Sequence, residues 1–95
     1  MAAYLVLDIE VTDPAGYQEY KELARPVVER FGGRYLVRGG AYEMLEGDWQ
    51  PERLVIVEFP SVEEAKRFYD SDEYAPLKKI RLKTTISRTI LIQGV

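Results

Sequence analysis

Along AYLVLDIEV, residues 3–11, apolar and polar positions alternate: Ala3, Leu5, Leu7, Ile9 and Val11 share one side, Tyr4, Val6, Asp8 and Glu10 the other. A period of two predicts a half-buried strand. The period then changes. Tyr17, Tyr20, Ala24, Val27, Val28 and Phe31 recur at three- and four-residue spacing, the signature of one apolar stripe on a helix. Asp13-Pro14 reads as its start, because the carboxylate can accept from free backbone N–H groups and proline fits the first turn. Pro26 cannot donate to the carbonyl of Glu22, which predicts a kink or break between them. Gly32-Gly33 reads as the helix end.

RYLVR (34–38) is expected to be a strand that AYEMLEG (41–47) continues beyond Gly39-Gly40, before a turn at GDWQPE. RLVIVEF (53–59), rich in β-branched residues, reads as the next strand, stopped by Pro60. Ser61 and Glu64 have the spacing of a capping box, with Ala65, Phe68 and Tyr69 as the stripe of the helix they open. SDEYAPLKKIRLKTT predicts a helical turn or two with Tyr74, Leu77 and Ile80 inward, and SRTILIQ (87–93) a last strand. The order β-α-β-β-α-β is the ferredoxin-like α+β pattern: one domain over 1–95, a four-stranded antiparallel sheet with helices on one face.

That arrangement poses a problem for the other face. If Leu5, Leu7, Ile9, Val55, Val57 and Phe59 line the helices, then Tyr4, Val6, Leu36, Leu54 and Ile56 lie opposite, too much apolar surface to leave in water. A second copy of the sheet is the natural cover, and a chain of 95 residues gains from the extra burial. The expected partner is therefore the chain itself, as a homodimer.

Composition narrows the chemistry. The net charge of −3 argues against a nucleic-acid partner, which needs a basic face. The run Lys78, Lys79, Arg81 and Lys83 reads as the solvated side of a helix. With no cysteine and no histidine, thiolate catalysis, zinc–sulfur sites and the commonest general base are absent. Neither a membrane span nor a basic leader is visible, so no membrane partner and a cytoplasmic location are expected. The acidic cluster Glu43, Glu46, Asp48 and Glu52 lacks the spacing of a calcium loop, and no metal or cofactor is expected.

GGRYLVRGG (32–40) raises the question of a phosphate loop. Such loops join a strand to the N-terminus of a helix, and neither glycine pair here precedes a helix. Both read as structural, a helix cap and a bulge at Gly39-Gly40 that bends a long strand.

Candidate chemistry falls in two places. Alternation puts Asp8, Glu58 and Arg38 on the helix-free face, with Glu58 between the other two. In one reading Arg38 and Glu58 form an ion pair that fixes the interface, with Asp8 near its solvent edge. In the other Glu58 and Asp8 flank a cavity, one carboxylate removes a proton from an acidic C–H or phenol, and Arg38 stabilises the anion. Tyr20, Tyr69, Tyr74 and Trp49 are candidate ligand-binding residues, as apolar walls with polar tips. Core packing is the alternative for the tyrosines and a clamp on the partner subunit for Trp49.

The stretches YLVLDIEVTDPAGYQEY, FGGRYLVRGG, YEMLEGDWQPERLVIVEFPS and AKRFYDSDEY together resemble domain-of-unknown-function family 1330 over nearly the whole chain. The resemblance implies membership of the dimeric α/β-barrel superfamily, whose paired sheets meet through their helix-free faces. That superfamily includes cofactor-free monooxygenases of polyketide quinones, isomerases of small ring compounds and haem enzymes. The haem members use a histidine, which this chain does not have. The expected function is a small homodimeric protein binding a small aromatic or carboxylate ligand, with cofactor-free proton-transfer or monooxygenase-like chemistry. The alternative is a non-catalytic interaction or stress-related module whose charges serve dimer assembly.

Overall fold

In the computed structural model, which describes residues 1–95, seven elements follow one another. They are β1 (Ala3–Val11), α1 (Pro14–Arg30), β2 (Arg34–Arg38), β3 (Leu54–Phe59), α2 (Val62–Tyr69), α3 (Ala75–Thr84) and β4 (Thr85–Gln93). The strands make one antiparallel sheet in the order β2-β3-β1-β4. This is the ferredoxin-like α+β frame with a third helix added. The α3 segment, expected as a turn or two, is ten residues long. No helix is long and apolar enough to cross a membrane.

Alternation decides which residues meet the helices. Leu5, Leu7, Ile9, Val55, Val57 and Phe59 are all buried, while Tyr4, Val6, Leu54 and Ile56 between them are half-buried. Under α1 and α2 the core closes with an aromatic cluster in which Phe68 stacks 5.3 Å from Phe59 and lies 4.4 Å from Tyr74. The helices stand on one face only, so the molecule is a slab of 36 × 35 × 16 Å. On its open face Ile86, Ile90 and Ile92 are 62%, 58% and 51% exposed.

Local signals set the helix ends. Asp13 accepts from Gly16 N–H at 3.2 Å with Pro14 in the first turn, and Ser61 Oγ accepts from Glu64 N–H at 3.1 Å. The Glu64 carboxylate turns to Arg67 instead, so only half of the capping box forms. Pro26 does not break α1, which runs on to Arg30. Both Glu22 and Pro26 face solvent, where water can take up the freed carbonyl.

Three further expectations are corrected. Residues 41–47 do not continue β2. Gly39 adopts φ +71°, its N–H still bonds Leu54 at 2.8 Å, and the chain then leaves the sheet. Beyond Leu54 there is nothing to pair with, because β3 begins there and Pro51 lacks an N–H. The bulge lies between Tyr35 and Val37 rather than at the glycines. It shifts the parity of β2, so Arg38 pairs with the buried-face residue Val55 and leaves the face expected for it. Lastly, Arg81 belongs to the core at 1% exposure, whereas Lys79 and Lys83 do face solvent. Arg81 follows Tyr74 and Leu77 at helical spacing on the inward side of α3.

Candidate functional site

Between the sheet and the helices lies a narrow cavity of about 40 Å³. Leu7, Val55 and Val57 form its floor on the sheet, and Tyr20, Tyr69 and Tyr74 close it from the helices. No carboxylate lines it. Each tyrosine arrives by a separate local device: Tyr20 on the inward stripe of α1, Tyr69 at the end of α2, Tyr74 at the start of α3. Tyr74 is fixed by Ser71, whose hydroxyl donates to Phe68 O at 2.8 Å and accepts from Tyr74 N–H at 3.1 Å.

Arg81 stands behind these phenols. Its Nε donates to Tyr74 Oη at 3.2 Å, its Nη2 to Tyr69 Oη at 3.4 Å and its Nη1 to Ser87 Oγ at 2.7 Å. Tyr74 and Tyr20 are joined oxygen to oxygen at 2.7 Å. All the partners of this buried guanidinium are neutral, and no ion pair of the chain includes it. Burial works against its charge, but the oxygens of Tyr74, Tyr20 and Tyr69 favour it and keep Arg81 firmly protonated. Burial also pushes the Tyr20 phenol far above its ordinary value, and the adjacent Tyr74 pushes it further. Burial raises the Tyr35 phenol too, with Arg38 pulling the other way. At neutral pH Tyr20 and Tyr35 are therefore hydrogen-bond donors rather than bases.

At the cavity's mouth stand Lys21, Arg38 and Arg53. Arg38 lies over the Tyr35 ring at 5.0 Å, and Arg53 and Lys21 over the Tyr17 ring at 5.7 and 5.6 Å. None of the three has a carboxylate partner.

The candidates named from the sequence fall into three groups. Tyr20, Tyr69 and Tyr74 come together at the cavity, and Arg38 stands at its mouth. Glu58 lies on the open face opposite Tyr4, and its ion pair, 2.8 Å long, is with Arg34. Asp8 lies four residues along β1, roughly 13 Å away at strand spacing. There it accepts from Trp49 Nε1 at 3.2 Å and from Glu52 N–H at 3.1 Å. Asp8, Glu58 and Arg38 thus do not meet, and Trp49 is on the far side of the sheet from the tyrosines.

Arg81 and Arg53 escaped the sequence reading, although a signal existed for both. Arg81 shares helical spacing with Tyr74 and Leu77, and Arg53 has the same parity as Val55 and Val57. Arg38 faces the cavity because of the bulge, which no residue of β2 announces.

Among solved structures, the fold is similar to that of RPA0582, a protein of unknown function from Rhodopseudomonas palustris. The TM-score is 0.78 at 22% identity, over 99% of this chain and 82% of that one. It is also similar to SnoaB, a cofactor-independent oxygenase from Streptomyces nogalater (TM-score 0.70, 13% identity, 99% and 93% covered). A putative antibiotic biosynthesis monooxygenase from Nitrosomonas europaea gives a TM-score of 0.58 at 10% identity, with 99% and 90% covered. No curated protein matches the chain. These likenesses concern the fold. At the level of sequence, the family described as a domain of unknown function (DUF1330) matches residues 2–95, and the chain belongs to that family.

Proposed function

We propose that the cavity, together with the surface cleft of about 500 Å³ that shares Lys21, Arg38 and Arg53 with it, binds a small aromatic or carboxylate-bearing ligand and stabilises negative charge on it, so that the ligand undergoes proton transfer or reacts with dioxygen without a cofactor. The observation that carries this reading is the buried Arg81, whose N–H groups are directed to phenols at the wall of an apolar cavity with no carboxylate nearby. A desolvated charge without an opposite charge is costly to keep, and a site that uses it is one reason to keep it. A ligand oxygen beside Tyr74 and Tyr69 receives hydrogen bonds from phenols that the guanidinium polarises. Those bonds strengthen as charge develops on that oxygen, and this lowers the barrier to losing a proton. The proton leaves to water through the mouth, where Arg38 adds to the anion-stabilising field. The fold shared with a cofactor-independent oxygenase is in keeping with this chemistry.

The same proposal gives the open face to self-association. Ile86, Ile90 and Ile92 there are the aliphatic surface that a second copy would cover. Asp8, Trp49 and Glu58 then serve the shape and charge of that interface, as in the assembly reading. The test of the chemistry is oxygen uptake, together with deuterium exchange at ring carbons, over a panel of small hydroxyaromatics that includes resorcinol and catechol. Acceleration of at least one by the wild-type protein, lost in Tyr74→Phe, is the expected result. Binding without any acceleration would leave the interaction module standing, and no binding at all would remove the cavity from the account.

A further inference from the structure

We infer that the ligand of this cavity is a monoanionic carboxylic acid with an aromatic or enolic body, its carboxylate held at the mouth by Arg38 and Arg53 with Lys21 beside them. The inference rests on the reading of the cavity as a ligand site and adds which group enters last and what holds it.

A broad cleft of about 500 Å³ on the molecular surface shares Lys21, Arg38 and Arg53 with the deep cavity, so the three cations mark the step from wet cleft to apolar interior. The two acids of that cleft are engaged with their own helix. Glu29 pairs with Arg25 at 3.5 Å, and Glu22 accepts from Gln18 Nε2 at 3.2 Å. In a chain of net charge −3 with 16 acidic residues, three cations sharing one cleft without a carboxylate partner are a specific arrangement.

Arg53 is the most enclosed of the three. The Arg53 guanidinium lies against Gly39, where any Cβ would collide with it, so the glycine at φ +71° is the seat of this arginine. Its Nε is enclosed and has no hydrogen-bond partner. A buried donor left unmade costs stability, which marks Arg53 as a residue held in place at some expense. Arg38 has one long bond, from Nη2 to Lys21 O at 3.5 Å, so most of its fork is free for a planar, bidentate acceptor. The nearby Glu22 and Glu29 oppose a dianion more than a monoanion, which favours carboxylate over phosphate. At the deep end the donors are phenols and the Thr89 hydroxyl, all neutral, so the body of the ligand ends in an oxygen that accepts from a group such as Tyr74 or Tyr69.

Calorimetric titration with para-hydroxybenzoate, para-hydroxyphenylacetate, their methyl esters and phenyl phosphate tests this directly. The expected result is that one acid binds about tenfold or more tighter than its ester, a preference that weakens with salt. Arg38→Gln and Arg53→Gln should each remove most of that preference and leave the ester's affinity within about twofold. Esters that bind as tightly as their acids, or a preference that survives both substitutions, would overturn the mouth assignment while leaving the cavity reading intact. Phenyl phosphate binding tighter than both acids would overturn the choice of carboxylate. If neither acids nor esters bind, the inference and the ligand-site reading fall together.

Discussion

The two faces of the sheet treat charge in opposite ways. On the open face Glu58 is neutralised by Arg34, and Asp8 is held by the Trp49 indole and a backbone N–H. Under the helices Arg81 is buried among phenols, and Arg38, Arg53 and Lys21 stand at the cavity mouth with no carboxylate paired to them. Charges that find partners within the chain need no ligand to explain them. Unpaired cations around a cavity are the feature on which the proposed anion site rests, because the field they create attracts an anion. On the proposed reading the chemistry lies with the tyrosines and arginines under the helices rather than with Asp8 and Glu58.

The largest expected effect comes from spoiling the open face. Ile90→Lys puts a charge in the middle of the aliphatic surface and should weaken dimerisation by about two orders of magnitude or more, since each buried aliphatic side chain is worth roughly 1.5–3 kcal/mol. Sedimentation velocity across a dilution series reads this, and ligand affinity should change by less than about twofold. If ligand binding collapsed with the dimer, the two faces would not be independent.

Arg81→Met gives the converse. It removes a buried charge that lacks an opposite charge and keeps much of the aliphatic volume, so unfolding free energy should stay within about 1 kcal/mol of wild type. Ligand affinity should nonetheless fall by about tenfold or more. A loss of several kcal/mol in urea unfolding, with binding unchanged, would make Arg81 a structural residue only.

The pH dependence is smaller and isolates Tyr20. Its phenol is raised in the folded state, chiefly by burial, so it keeps its proton while the unfolded chain loses one near the ordinary phenol value of about 10. The folded state then binds more protons than the unfolded one, and stability, full below about pH 10, declines as pH rises beyond it. Tyr20→Phe should flatten that alkaline limb in denaturant melts at successive pH values. An equally steep limb in the variant would assign the effect to other phenols.

Glu58→Gln is the mildest change. Its bridge to Arg34 is partly solvated, with Glu58 25% and Arg34 71% exposed, and such pairs contribute about 0–1 kcal/mol. Dimerisation should weaken by no more than about fivefold, and turnover of any active hydroxyaromatic should be retained. Abolished turnover with an intact dimer would return Glu58 to the chemistry.

Most of the fold was legible because its signals are local and periodic. Alternation in 3–11 and 53–59 and the helical stripe from Tyr17 to Phe31 assign their elements without reference to the rest of the chain. The tyrosines of the site were legible for the same reason, each lying on the apolar side of its own helix. What the sequence withheld depends on relations between segments. Residues 41–47 look like a strand, but a strand needs a neighbour, and β3 begins too late to supply one. Arg38 sits where alternation would put it outward, and one extra residue in β2 turns it inward. Arg81 was hidden by its company, since Lys78, Lys79 and Lys83 suggest a solvated face whereas its spacing from Tyr74 points inward.

The most direct test of the division between the faces is native mass spectrometry of protein purified without refolding and incubated with the tightest-binding hydroxyaryl acid. The account predicts a dimer that carries up to one acid per subunit and loses the acid in Arg81→Met while remaining a dimer. A wild-type monomer, or a dimer that stays bare at saturating acid, would contradict it.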